Sequence, residues 1–264
     1  MQIAEYYQVM QHVKTVGETD YYAAIDLRTD SPIMLRVIDT SKQGAVGIGL
    51  EHLAADKLKR KMENEAKILS QIQGVLTVLD VGFDAPYYYH VYPPFEFVNL
   101  QMHGKISPDA LRLIALEAAQ TLHNLHVMGI VHCDVSAENI LLIDNHVRLI
   151  EFTIANHEQS EGVAPGNPPY MSPESITGAP PAPARDVWGL GVTLYYALSG
   201  ALPFGDIELP REVGAPRLFK KIMTESPPPL ADETWQLIIS AMLEKDPKNR
   251  ITLPALIQRI EAIS

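Results

Sequence analysis

His132-Cys133-Asp134-Val135-Ser136-Ala137-Glu138-Asn139, followed twelve residues later by Glu151-Phe152-Thr153, is the stretch on which the reading of this chain turns. The sequence differs in character on its two sides. Roughly the first hundred residues alternate short strand-like runs with polar turns. Tyr21–Ile25 and Ile33–Ile38 flank Thr29-Asp30-Ser31, which is hairpin chemistry. Leu53 to Ile72 contains no Pro or Gly and reads as one helix. Strand candidates around Val78–Val81 and Tyr87–Tyr92 follow, and Pro93-Pro94 stops the pattern because neither residue can donate a ladder hydrogen bond. Nearer the quoted stretch the composition becomes helical. Ser107-Pro108 is a cap followed by Pro at the first helical position, and Leu111, Ile114, Ala115, Ala118, Leu122 and Leu125 share one helical face. Beyond it come a proline-rich segment, Pro165 to Pro183, a buried-looking helix around Trp188-Gly189-Leu190-Gly191, and helical periodicity near Thr234–Leu243 and Leu253–Ile263. Strands first and helices second predict an α+β layout.

At 264 residues the chain is long enough for a large core, and 47% hydrophobic with 20% charged residues excludes disorder. A net charge of −11 argues against nucleic acid as a partner. The one basic cluster, Lys57 to Lys61, reads as a solvated helix face, with a docking patch for an acidic partner as the other reading. A single cysteine, Cys133, rules out an intrachain disulfide and fits a reducing compartment. No apolar run has membrane-spanning length and Met1-Gln2-Ile3-Ala4-Glu5 lacks a signal pattern, so a cytoplasmic location is expected, unless the sequence is part of a longer receptor.

Three further landmarks stand in order: Tyr170-Met171-Ser172-Pro173-Glu174, Asp186-Val187-Trp188-Gly189-Leu190-Gly191 and Lys245-Asp246-Pro247-Lys248-Asn249-Arg250. With the opening stretch they resemble the A-P-E, D-x-W-S-x-G, K-D-P-x-x-R, H-R-D-x-K-x-x-N and D-F-G motifs of eukaryotic-type (Hanks-type) Ser/Thr protein kinases, most closely the bacterial members. The resemblance implies one bilobal protein-kinase-like domain over residues 1–264. Its small strand-rich N-lobe with one helix covers about 1–94, a hinge about 93–98, and a larger, mainly helical C-lobe about 99–264. It further implies a buried Glu174–Arg250 pair. Leu69, Leu79, Phe152 and His132 match stacked packing residues, with Asp186 as their anchor.

The same resemblance assigns the chemical positions, and many are altered. Asp134 stands at the catalytic base and reads as vestigial. Asn139 and Glu151 stand at metal-ligand positions, Glu151 in place of Asp; the extra methylene displaces its carboxylate by roughly 1.5 Å, which Mg²⁺ tolerates poorly and Mn²⁺ better. Gly17, Arg36 and Glu65 are the degenerate nucleotide positions. Only the first glycine remains in Gly17-Glu18-Thr19-Asp20-Tyr21-Tyr22, which reads as a plain β-turn. Arg36 replaces the compact strand Lys and is positioned to pair with Glu65. Met34 crowds the adenine roof. Ser136 replaces the Lys of the loop, Cys133 its Arg, and Thr153 the Gly of the turn. Asn167 occupies the usual Thr position, leaving Ser160 as the one phosphorylation candidate in its segment.

These departures together predict a pseudokinase: a protein-binding or allosteric regulatory module in signalling, with little or no phosphotransfer and no cofactor. The alternative is an atypical, weak Ser/Thr kinase using ATP with Mg²⁺ or Mn²⁺. Tyr87-Tyr88-Tyr89 and Gly178 to Pro183 read as strand packing and a connecting loop, with contact surfaces as the other reading.

Overall fold

The computed structural model describes residues 2–16, 19–39, 66, 70–151, 167–207 and 211–263, the side chains of 211–213 excepted. The chain divides into two compact units, residues 1–97 and 98–264.

The first unit is an antiparallel sheet of β1 (Gln2–Ile3), β2 (Tyr7–Val16), β3 (Thr19–Asp26), β4 (Ser31–Asp39), β5 (Asp80–Asp84) and β6 (Tyr87–Tyr92), in the order β1-β2-β3-β4-β6-β5. The hairpin read around Asp30 is present, with Asp30 itself at φ 52° in the left-handed region that Asp tolerates. β4 alternates its faces. Ile33, Leu35 and Val37 join Ile3, Tyr7, Ala24, Tyr89 and Val91 in one buried cluster. Each large aliphatic side chain there contributes about 1.5–3 kcal/mol of transfer free energy. The opposite face carries Met34, Arg36 and Ile38, opposite Tyr92, His90 and Tyr88 of β6. The added strand β1 brings Ile3 into this cluster beside Tyr7, both fully buried. The Tyr7 hydroxyl is satisfied there: it donates to Asp80 at 2.5 Å and accepts from Arg28 at 2.6 Å, while Arg28 also chelates Asp26.

Most of the helix read over Leu53–Ile72 lies outside the described residues. Ala66 is helical, and the Ser70 N–H bonds its carbonyl at 2.9 Å. Residues 70–74 then form a turn ending at Gly74, φ 92°, so the helix stops short of Ile72. Leu79 precedes the first pair of the β5–β6 ladder and is 57% exposed, unlike the packed residue read from the motif. Leu69 and Phe152 lie outside the described residues.

The second unit comprises α1 (Leu100–His103), α2 (Pro108–Val127), the hairpin β7 (Ile140–Ile143) and β8 (His146–Leu149), a 3₁₀ turn at Pro168–Tyr170, α3 (Pro173–Ile176), α4 (Pro183–Ser199), α5 (Arg211–Thr224), α6 (Glu233–Met242) and α7 (Leu253–Glu261). Ser107 caps α2 as its sequence predicts, its Oγ accepting from Ala110 N–H at 3.4 Å, and the whole predicted apolar face is buried. α4 is buried along most of its length because its neighbours close on every side. Its glycines permit this. A Cβ at Gly189 would lie 2.7 Å from the Val135 carbonyl oxygen, and one at Gly191 2.9 Å from Met242 Cβ. α5 contains Pro216 in its interior, where the ring leaves no N–H to donate. Among the described residues no helix is long and apolar enough to cross a membrane.

The predicted Glu174–Arg250 pair is present and bidentate, at 2.6 and 2.9 Å. Arg250 also donates to the carbonyls of Ala184 (2.7 Å), Glu244 (2.9 Å) and Lys245 (3.4 Å). The arginine holds Glu174 below its ordinary titration range even though burial opposes it.

Candidate functional site

The stretch from His132 to Asn139 is irregular backbone, so its polar groups need partners from elsewhere. Asp186, in the first turn of α4 and 1% exposed, supplies two of them. It accepts from His132 N–H (2.9 Å), Cys133 N–H (2.8 Å) and His126 Nε2 (2.7 Å). On the other side Asn99, the N-cap of α1, donates to the Glu138 carbonyl at 3.1 Å, and Gln101 N–H reaches that of Ala137 at 3.1 Å. His126 was not picked out from the sequence; its place in the last turn of a helix that reads mainly as packing hid it.

This grip holds Cys133 at φ 68°. Glu151 sits at φ 67°. A side chain in the left-handed region costs about 1–2 kcal/mol, so both places are strained, and strain of this kind collects at functional sites.

His132 is fully buried and its tautomer follows from its neighbours. Asp134 N–H donates to Nδ1 at 3.3 Å, so the proton is on Nε2, which donates to the Ile150 carbonyl at 3.0 Å. Burial pushes the pKa below the ordinary histidine value, and the ring is neutral packing.

Asn139 turns its amide nitrogen to Asp134, donating 2.8 Å to both the backbone carbonyl and Oδ2. Asn167 N–H reaches Oδ1 at 3.3 Å. Surrounding protein pushes the Asp134 pKa up to about 7; these hydrogen bonds resist the rise, and the charges of Glu151 and Glu138 add to it. Ser136 is 1% exposed, and the eight residues of the loop contain no Lys or Arg.

For a divalent cation the unit offers the Asn139 amide oxygen, since the amide nitrogen is engaged, and the Glu151 carboxylate. Ile150 N–H bonds the Asn139 carbonyl at 3.1 Å, which ties the two segments together. Among the described residues, these two side chains make a sparse set for a hard cation.

In the first unit Arg36 is 3% exposed, between Tyr21 and His90 in the ladder. Burial first, and the Arg36 charge second, hold His90 well below its ordinary pKa. Met34 is buried two pairs along, on the same face, beside Ala23 and Tyr92. The β2–β3 ladder continues through Thr15–Asp20 to Val16–Thr19. Thr19 and Asp20, read as part of a β-turn, are therefore strand, the strand read from Tyr21 onward starts there, and Asp20 accepts a 2.6 Å bond from Thr15. Gly17, Glu65, Thr153 and Ser160 lie outside the described residues, as does the Lys57–Lys61 cluster.

Residues 34–260 match the model of the protein kinase domain. Relatives among curated proteins come from bacteria and eukaryotes. The chain is 32% identical over 183 residues to the serine/threonine-protein kinase PknK of Mycobacterium tuberculosis, covering 64% of this chain and 16% of that protein. It is 28% identical over 216 residues to PknL of the same organism, covering 77% and 52%. To the RAC family serine/threonine-protein kinase homolog of Dictyostelium discoideum it is 29% identical over 171 residues, covering 62% and 37%. The chain thus spans from about a sixth to about half of the length of these relatives.

Proposed function

The chain belongs to the protein kinase family, and from that premise we propose that it acts as a pseudokinase, a regulatory module that engages a protein partner in the cytoplasm with little or no phosphotransfer. The observation that carries the reading is the state of the catalytic loop. Asp134 has its carboxylate oxygens engaged by Asn139 and Asn167, and the loop has no cation to steady a phosphate. Phosphoryl transfer depends on positioning and charge neutralisation, so a base without them has little to act on. The closed β2–β3 ladder supports the same reading, because ladder N–H groups bonded to a neighbouring strand are not available to a triphosphate.

Nucleotide titration by calorimetry, with Mg²⁺ and with Mn²⁺ separately, tests this. The expected result is no heat and no labelled product with generic protein substrates. Binding abolished by Asn139→Ala, together with phosphotransfer, would overturn it. The second reading, a weak ATP-dependent Ser/Thr kinase, is favoured by one observation: an Asp134 pKa near 7 suits a general base at neutral pH. It predicts slow, Mn²⁺-preferring transfer that is lost in Asp134→Asn.

A further inference from the structure

The face of the first unit's sheet that carries Met34 and Arg36 is the one on which the kinase resemblance places a nucleotide, with Met34 at the adenine roof. Cross-strand pairing sets Tyr21 of β3 opposite Arg36 and Ala23 opposite Met34. Paired residues share a face, so Tyr21 stands over the same ground. It comes from the segment Gly17 to Tyr22, where the family's loop relies on residues without Cβ; here the chain presents a phenol ring. That ring is fully buried and packs on Phe97, centroid to centroid 4.8 Å at 58°. Phe97 is 6% exposed and lies in the segment read as the hinge. The contact continues through Phe95 (6.1 Å) to Tyr92 (6.4 Å), which pairs with Met34 across the sheet. The rings therefore run unbroken from β3 to the partner of Met34, and Met34, Arg36 and Tyr92 are each no more than 4% exposed. A flat base held between two rings needs them about 7 Å apart, two van der Waals contacts of about 3.5 Å. Tyr21 and Phe97 stand closer than that.

We propose that Tyr21 and Phe97 form a built-in plug, two rings of the chain itself that occupy the place an adenine ring would take. The proposal rests on the pseudokinase reading and names what keeps its nucleotide face shut. In that reading the catalytic loop accounts for the loss of transfer, but it does not exclude the base. A purine is held by apolar contact on its faces and hydrogen bonds at its edge, and neither needs a cation. Apolar walls for such a ring remain in Ala23, Met34 and Tyr92, and the plug covers them. The two rings meet in the tilted geometry that aromatic pairs favour, so a ligand must displace both to reach those walls. Tyr21 is thus a specificity-determining residue, and it is the volume of its ring that decides, not its hydroxyl.

The test is calorimetric titration of the full chain with adenosine and no metal, so that neither phosphate nor cation enters the result. Wild type and Tyr21→Phe are expected to give no saturable heat. Tyr21→Ala is expected to bind adenosine saturably, with an affinity at least about tenfold above the wild-type limit. Removing a buried ring also weakens the fold, so melting with and without adenosine is the second measurement. A ligand that binds only the folded form raises the melting temperature even of a weakened variant. Phe97→Leu, which keeps an apolar side chain and gives up the ring, should show the same gain to a smaller degree. Adenosine binding by wild type or Tyr21→Phe as tight as by Tyr21→Ala overturns the plug and leaves the pseudokinase reading standing. So does the lack of any response in both Tyr21→Ala and Phe97→Leu. Phosphotransfer by wild type overturns both.

Discussion

Arg250 and Arg185 are both nearly inaccessible, at 4% and 6% exposure, and their surroundings are opposite. Arg250 donates to two carboxylate oxygens and three carbonyls and lies over the Trp188 ring, its centre 5.0 Å from the centroid. Arg185, three residues before Trp188 on the same helix, has an Nη1 with no hydrogen-bond partner among the described residues. The same side chain at the same depth is a fully partnered strut in one place and carries an unpaired nitrogen in the other. Burial does not distinguish them; the inventory of partners does.

The comparison breaks most visibly at Arg250. Glu174→Ala is expected to cost about 3–5 kcal/mol, because it leaves a buried guanidinium without its carboxylate. A large drop in the urea midpoint would register it, and a change below about 1 kcal/mol would place Arg250 with Arg185. Next in size is Gly189→Ala. Its Cβ meets a backbone oxygen that cannot rotate aside, so a loss of about 1–3 kcal/mol is expected, read by the same denaturation.

Asp134→Asn should act in the other direction. The folded-state pKa of Asp134, about 7, lies above the ordinary aspartate value of 3.8, so the folded chain binds more protons between them and stability falls as pH rises through that window. The burial cost is fully present above pH 7 and absent at the acid end. The variant should be more stable than wild type by about 1–2 kcal/mol at pH 8, with the difference vanishing toward pH 4, read from melting across pH. The smallest effect belongs to Arg185→Met, which should lie within about 1 kcal/mol of wild type or above it, read by the same denaturation.

Much of this contrast was beyond the sequence for a definite reason. Motifs name residues that must meet, so Glu174 and Arg250 were legible at a separation of 76 positions. The cap and buried face of α2 were legible because both are local. A missing partner is a property of everything nearby at once, and no pattern around Arg185 announces it. The nearest signal was a cation in the first turn of a helix with no capping side chain. β1 and β2 were missed because β2 is exposed along much of its length and lacks the alternation that marks a half-buried strand. α5 was missed because Pro216 reads as a stop.

Asp186 holds the catalytic loop by two main-chain N–H groups, those of residues 132 and 133. Main-chain donors are the same for every amino acid but proline. The side chain displayed at position 133 can therefore be exchanged without loosening the mount that carries it. A fold so fastened lets its chemistry drift while its shape is inherited intact, and an enzyme's scaffold can outlive its reaction.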